Sequence, residues 1–513
     1  MDLDQQQYQF FGYKTGTWIY LFLGALAVAT VIIYLNFPSA YNQGIYHYQG
    51  LVIKNGGLPY TGFIEKKGPM GLLTYSLASL LFGESAMAYR LFDLIILGIT
   101  GTYLFRLAKL FYSRLTAVLI SVIWLSHVII EGPGNTADVT NIITACYVIL
   151  AFHLLAPKKK NYYWVAGLLI GMACWVKPTA LIIAMPLLFL FFTQRFEGSE
   201  KLNLSRLLQI GIGLLIPTVV FTLYLFISGT FHGFWEAVVL DPLLNYADDV
   251  SRFSLRTVIK TGKTFLQDPV FRIGGVLALF LLPSNQVIRL ARILVIGIAI
   301  MLFIEGRFYP YHYSILWTFL ILAAVHGFIV LTQKLKLFKQ RAATVILVLI
   351  ILIPTVTIGT KFIKTGGLTN EYYAGEMFLF PDFKEMYDFR RPVVSYLNGK
   401  LNSEDQIMVL GRDPNIYLEL GVITTCRSAR EGHSLIGDNS RKTPDYLIVW
   451  QKELVQYMLD EKAEWIIVLK ELAGNWLDAY SADMNLILTE KYQLMQETTG
   501  HFIYQRTKAN AGY

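Results

Sequence analysis

Glu65, Lys66 and Lys67 stand in a row between a Gly57-Leu-Pro-Tyr60 turn and a Gly68–Pro69 break. A carboxylate can accept a proton, and two cations beside it can neutralise an anion such as a phosphate. A segment stiffened at both ends holds such groups in place. Other candidates come from distant parts of the chain. Asp138 follows the tight Gly132-Pro-Gly-Asn135 run, and Asp241, Asp248 and Asp249 share one polar stretch. Glu305 and Arg307 flank Gly306, followed by Phe308, Tyr309, Tyr311 and His312. A guanidinium such as Arg307 can fork onto a phosphate, and His312 can exchange a proton near neutral pH. Lys177 has Asp138 or Glu65 as a possible partner, or snorkels to a surface. Each residue also has a plainer reading: an interfacial anchor, a fold-holding ion pair, or, for His312, a hydrogen-bonding interfacial histidine.

The elements that must position these groups are apolar. Of 513 residues 54% are hydrophobic and only 16% are charged, which excludes an ordinary water-soluble enzyme. The charges gather between long apolar runs, as expected where backbone groups must be satisfied within helices in lipid. Tyrosine, phenylalanine and tryptophan are abundant, which suits many interfacial crossings. The net charge of +8 sits in short loops between the runs, so it speaks for membrane orientation and against nucleic acid. Cys146 and Cys174 lie in apolar runs and Cys426 stands alone, which offers neither a metal cluster nor a disulfide framework. Trp18 to Leu35 lacks a basic leader and a small-residue cleavage site, and is expected to be a retained first span.

Eleven apolar runs could span: 18–37, 90–108, 115–131, 139–156, 163–176, 178–194, 207–228, 268–283, 291–305, 314–332 and 342–360. Met70 to Phe82 is too short to cross and is expected to lie at the interface. With the N-terminus inside, these basic clusters fall on the cytoplasmic side: Arg106, Lys109 and Arg114; Lys158 to Lys160; Arg195, Lys201 and Arg206; Arg289 and Arg292; and Lys334 to Arg341. Counting Met70–Phe82 as a span would break that pattern. The loop 38–89, the turn 131–138, Lys177, the loop 229–267, the turn 306–312 and everything beyond 361 then lie outside. The chain after 361 is expected to be a small soluble domain. Strand-like runs at Ile407–Leu410, Tyr446–Trp450 and Trp465–Leu469, with a helical stretch at Lys452–Glu461, predict an α/β arrangement with a partly parallel sheet. The Gly411–Pro414 turn lacks the spaced glycines of a dinucleotide site.

Several stretches together carry a resemblance: GIYHYQGLVIKNGGLPY, KKGPMGLL, LFGESAMAYRLFD, GNTAD, GMACWVKPT, GRFYPYHYS, and VLGRDPNIYLELG followed by TPDYLIVW. The chain resembles the bacterial polyprenyl-phosphate-dependent membrane glycosyltransferases of the GT-C superfamily, akin to protein O-mannosyltransferases and lipid A aminoarabinose transferases. The resemblance implies a polytopic all-α membrane protein with about eleven transmembrane helices and outer-face juxtamembrane helices. To this it adds a small extracytoplasmic α/β domain over 361–513, with 1–360 as the GT-C-like transmembrane domain. It implies a multi-pass protein of the bacterial inner membrane, with membrane lipid and polyprenyl phosphate as partners. A polyprenyl-phosphate-linked sugar would be the donor, and a divalent cation could be held by a family carboxylate.

In the family an acid pair precedes the Gly-Ile-Tyr run; here Asn42 and Gln43 stand in its place. A second acid commonly follows the Pro-Tyr turn, where this chain has Thr61 and Gly62. An amide neither accepts a proton at neutral pH nor binds a divalent cation as a carboxylate does. The resemblance therefore moves the base to Asp138 or Glu65, and assigns Lys66 or Lys67, with Arg307, to the lipid phosphate; His312, five residues after Arg307, is a further candidate for binding the lipid. Two functions of different class follow: an active transferase, or a catalytically inactive subunit that organises other membrane proteins. No paired half-helix breaks at repeat-related positions point to a transporter.

Overall fold

The computed structural model describes residues 17–35, 41–63, 65, 67–84, 86–131, 140–155, 163–192, 204–240, 255–266, 269–305, 310–335, 390–402, 404–411, 414–424, 445–470 and 478–507. Its helices are α1 Thr17–Leu35, α2 Tyr41–Lys54, α3 Pro69–Phe82, α4 Ala86–Ala108, α5 Arg114–Glu131, α6 Thr140–Leu155, α7 Tyr163–Val176, α8 Leu181–Phe192, α9 Leu204–Ile227 and α10 Phe231–Phe234. They continue as α11 Leu255–Leu266, α12 Gly274–Leu281, α13 Gln286–Glu305, α14 Ser314–Leu335, α15 Asn415–Leu420, α16 Asp445–Leu459 and α17 Asp478–Glu490. Ala88–Ala108, Leu204–Ile227, Gln286–Glu305 and Ser314–Thr332 are each long and apolar enough to cross a bilayer, and other apolar helices are shorter. The protein is thus a polytopic, largely α-helical membrane protein. The expected run at 342–360 and the boundary at 360/361 lie outside the described residues.

Two compact units emerge. The first comprises 1–37, 92–223 and 247–367. Its interior holds Tyr34, Leu97, Tyr112, Trp124, Tyr147 and Phe319, all almost fully buried. Where water supplies no hydrophobic drive, such helices associate by close packing, and small residues permit it. Gly167 of α7 and Gly213 of α9 show this: a Cβ at either would collide with the backbone of Ile210 or Trp164 on the facing helix. Buried hydroxyls and amides find partners across helices, as Trp124 does with Thr318 (2.9 Å) and Tyr112 with His326 (2.8 Å). Pro186 and Pro217 sit inside α8 and α9. The run expected at 178–194 opens with a 3₁₀ turn, Pro178–Ala180, and that at 268–283 with a π-helical turn, Pro269–Ile273.

The second unit comprises 38–91, 224–246 and 368–513. In it α2 packs along α3. The C-terminal part carries strands β1 Ile407–Leu410, β2 Trp465–Leu469, β3 Tyr492–Glu497 and β4 His501–Arg506, in the order β1-β2-β4-β3. β1 runs parallel to β2, with Ile407 opposite Trp465, while β4 is antiparallel to both β2 and β3. The sheet is mixed and open. Its core joins Val409, Ile467 and Ile503 to Val393, Leu397, Leu454 and Met458, and also to Tyr48 of α2.

Three sequence expectations change here. Tyr446–Trp450 is the first part of α16, because the apolar run continues at helical spacing through Leu454, Val455 and Met458, which are buried. That helix ends at Leu459, before the expected Glu461. β3 and β4 were not anticipated, since five of the six residues of β3 are exposed and it shows no apolar alternation.

Candidate functional site

The turn before α3 is built from its backbone outward. Tyr60 adopts a left-handed conformation (φ 64°) and its ring is buried. That ring meets Phe234 edge-on at 5.5 Å, and a Cβ on Gly233 would lie 2.7 Å from the Tyr60 carbonyl oxygen. The Tyr60 hydroxyl donates to the Lys67 carbonyl (2.6 Å), and the Lys67 amide donates to Glu65 Oε1 (3.2 Å). Pro69 then opens α3, at a position where its missing N–H costs nothing. Burial, reinforced by the Glu65 carboxylate, raises the Tyr60 phenol well above its ordinary pKa, so it acts as a neutral donor. The chain thus folds back on itself to hold Glu65, which is buried, and Lys67, which is half-buried, on one rigid turn. Lys54 and Glu84 pair at 2.7 Å and tie the end of α2 to the segment after α3.

A second polar cluster lies in the first unit, where α7 stops. Lys177 is extended (φ −154°), and the following 3₁₀ turn is closed by the Ala180 amide donating to the Lys177 carbonyl. Its ammonium meets Glu305 Oε2 at 2.6 Å, Thr179 donates to the other oxygen of the same carboxylate, and His312 Nδ1 stands 3.6 Å from Oε2. Glu305 and His312 are 6% and 5% exposed, so the cluster is desolvated and its charges must compensate one another. A third group surrounds Asp93 of α4. Tyr34 donates to Oδ2 (2.6 Å) and Asn141 to Oδ1 (2.9 Å), which satisfies a buried carboxylate from two helices.

Of the residues expected from sequence, Glu65 and Lys67 come together on the turn, and His312 joins Glu305. Lys66, Asp138, Arg307, Asp241, Asp248 and Asp249 lie outside the described residues. Asn42 and Gln43 fall in the first turn of α2. The structure gives Lys177 a partner that was not anticipated, Glu305. Thr179, two residues beyond Lys177, and the Asp93–Tyr34–Asn141 group also escaped notice. Their local sequences look like ordinary span residues, and only the packing of separate helices reveals them. Among the described residues no three His, Cys, Asp or Glu side chains gather to hold a metal ion.

Residues 66–224 match the family model described as dolichyl-phosphate-mannose-protein mannosyltransferase. No curated protein matches the chain closely enough to count as a relative. Among solved structures, ArnT from Cupriavidus metallidurans bound to undecaprenyl phosphate superposes with a TM-score of 0.62 at 12% identity, covering 97% of this chain and 100% of that one. The apo state of the same protein gives 0.55 at 13% identity, over 96% and 98% of the two chains. The chain therefore shares the fold of these two ArnT structures.

Proposed function

We propose that this protein is a membrane glycosyltransferase that moves a sugar from a polyprenyl-phosphate donor to an acceptor outside the cytoplasmic membrane. The observation that carries this reading is the shared fold over 97% of the chain with a protein solved bound to undecaprenyl phosphate. The rigid Glu65–Lys67 turn supplies a carboxylate and a cation of the kinds the reaction needs. In this reading Asp138 or Glu65 takes the acceptor's proton as its oxygen bonds to the anomeric carbon. The sugar–phosphate bond breaks, and the departing lipid phosphate is neutralised by Lys66, Lys67 and Arg307, with His312 as a further candidate. The topology belongs to the same reading: N-terminus inside a bacterial inner membrane, about eleven spans, α3 lying along the outer interface, and 361–513 outside.

Asn42 and Gln43 favour a second reading, an inactive subunit that scaffolds other membrane proteins and retains an anionic-lipid pocket. Donor binding and turnover separate the two. Lys67→Ala and Arg307→Ala should each weaken undecaprenyl phosphate binding by about 1.5–3 kcal/mol and spare the neutral polyprenol. Asp138→Asn or Glu65→Gln should abolish transfer while leaving donor binding intact. If the purified protein transfers no sugar from any of a panel of polyprenyl-phosphate donors and co-purifies stoichiometrically with other subunits, the scaffold reading replaces the enzyme.

A further inference from the structure

The helix α11 has three distinct faces. At the angular spacing of an α-helix, Leu255, Ile259 and Leu266 fall within about 40° of one another, and Arg256, Lys260 and Lys263 within about 60°. The cationic arc is centred about 90° from the apolar one. The remaining face is the docked one. Thr261 hydrogen-bonds the Tyr313 hydroxyl at 3.0 Å, and Phe265 meets Tyr313 and Trp317 edge-on at 6.3 and 5.1 Å. Tyr313 and Trp317 are themselves stacked (5.4 Å), and the Arg272 guanidinium covers Trp317 at 4.2 Å. This aromatic dock fixes the rotation of α11 about its axis. The outward face is then apolar and uncovered: Leu255 is 74% exposed, Ile259 49% and Leu266 66%.

We propose that α11 lies in the headgroup plane of the bilayer and binds anionic glycerophospholipids, with Leu255, Ile259 and Leu266 among the acyl chains and the exposed Lys263 at the phosphates. Charge complementarity commits the face to this occupant. A helix with three cations and no acidic residue, flanking a leucine–isoleucine stripe, matches an anionic leaflet. The dock of tyrosine and tryptophan beside it is of the residue types that settle at headgroup depth. The inference does not depend on the transferase reading.

The test uses the full chain in nanodiscs, with Cys146, Cys174 and Cys426 replaced by alanine and a bimane fluorophore on Ile259→Cys. At equal mole fraction, brominated phosphatidylglycerol should quench the fluorophore more than brominated phosphatidylcholine does, by an apparent enrichment of about five-fold or more. Aqueous iodide should quench it little. The preference should fall with added salt, and should vanish in the Arg256→Gln/Lys260→Gln/Lys263→Gln variant while quenching by lipid persists. Should the triple variant not fold, Lys263→Gln alone and the salt titration of the parent chain read the same preference. Strong iodide quenching, or no quenching by either lipid, would place the face in water or against protein and overturn the proposal. Equal quenching by the two lipids would overturn its anionic selectivity.

Discussion

The Glu305 carboxylate of the first unit receives Lys177, Thr179 and His312 together. Removing one partner of such a desolvated pair leaves the other charge uncompensated, at a cost of about 3–5 kcal/mol. Glu305→Gln and Lys177→Met should therefore each lower the melting temperature of the detergent-solubilised protein sharply. The double variant should recover much of the loss, and additive losses would show that the two charges do not stabilise each other. His47 is the opposite case, a buried imidazole packed 5.1 Å from the Tyr89 ring with no hydrogen-bond partner at either nitrogen among the described residues. Burial lowers its pKa from 6.5 to about 4, with Glu84 opposing the shift. The folded state thus favours neutral imidazole. Its contribution is complete above the unfolded pKa and is lost as pH falls from 6.5 towards 4, about 3 kcal/mol in all. Melting temperature should drop between about pH 7 and about pH 5, and His47→Phe should flatten that dependence. An unchanged slope would assign the acid sensitivity to other groups.

At the scale of elements, the second unit turns on two tyrosines. Tyr417 of α15 accepts the edge amide of Val409 in β1 (2.7 Å) and stacks on Tyr48 of α2 at 4.9 Å, while the Tyr48 hydroxyl accepts the Thr424 amide. The helix α2 and the C-terminal sheet are thereby packed as one body within this unit. Tyr417→Phe should strand the Val409 amide and cost about 1–3 kcal/mol, and Tyr417→Ala should cost more by opening a cavity. Hydrogen exchange of β1 should accelerate in both variants, and protection of α2 should fall only in the alanine variant, where the stack is lost. Protection of α2 that stays unchanged in Tyr417→Ala would show the stack to be incidental. The contacts of Tyr48 were not legible in the sequence, because its partners Tyr417 and Thr424 are more than 350 residues away. The helices were legible, since long apolar runs bounded by charge clusters leave few alternatives. The short strand-like run at Tyr446–Trp450 misled because five apolar residues fit helix and strand equally well. The Glu65–Lys67 turn was legible as a stiffened segment from its glycines and prolines, but not the left-handed Tyr60 that closes it, a conformation to which tyrosine gives no clue.

At the scale of the whole molecule, the distribution of cations makes the orientation testable without any assay of function. The basic clusters that follow α4, α6 and α8, and those at the starts of α9 and α13, share one side, and with the N-terminus inside that side is the cytoplasmic one only if α3 does not cross. The structure makes α3 a helix of 14 residues, about 21 Å long and shorter than a bilayer core. Leu77, Leu80 and Leu81 are exposed along it, while Leu72 is buried. One side embedded and one side open is what a helix lying along the interface presents. If it lies there and the expected run 342–360 crosses, the N-terminus and the basic loops share one side and the C-terminal sheet emerges on the other. Glu404 sits in an exposed turn before β1, so Glu404→Cys in a cysteine-free background is a suitable reporter. It should react with a membrane-impermeant maleimide added to intact spheroplasts, and Arg195→Cys should react only after lysis. Labelling in the reverse order would invert the topology and put the Glu65–Lys67 turn on the cytoplasmic side, where an extracytoplasmic acceptor could not reach it.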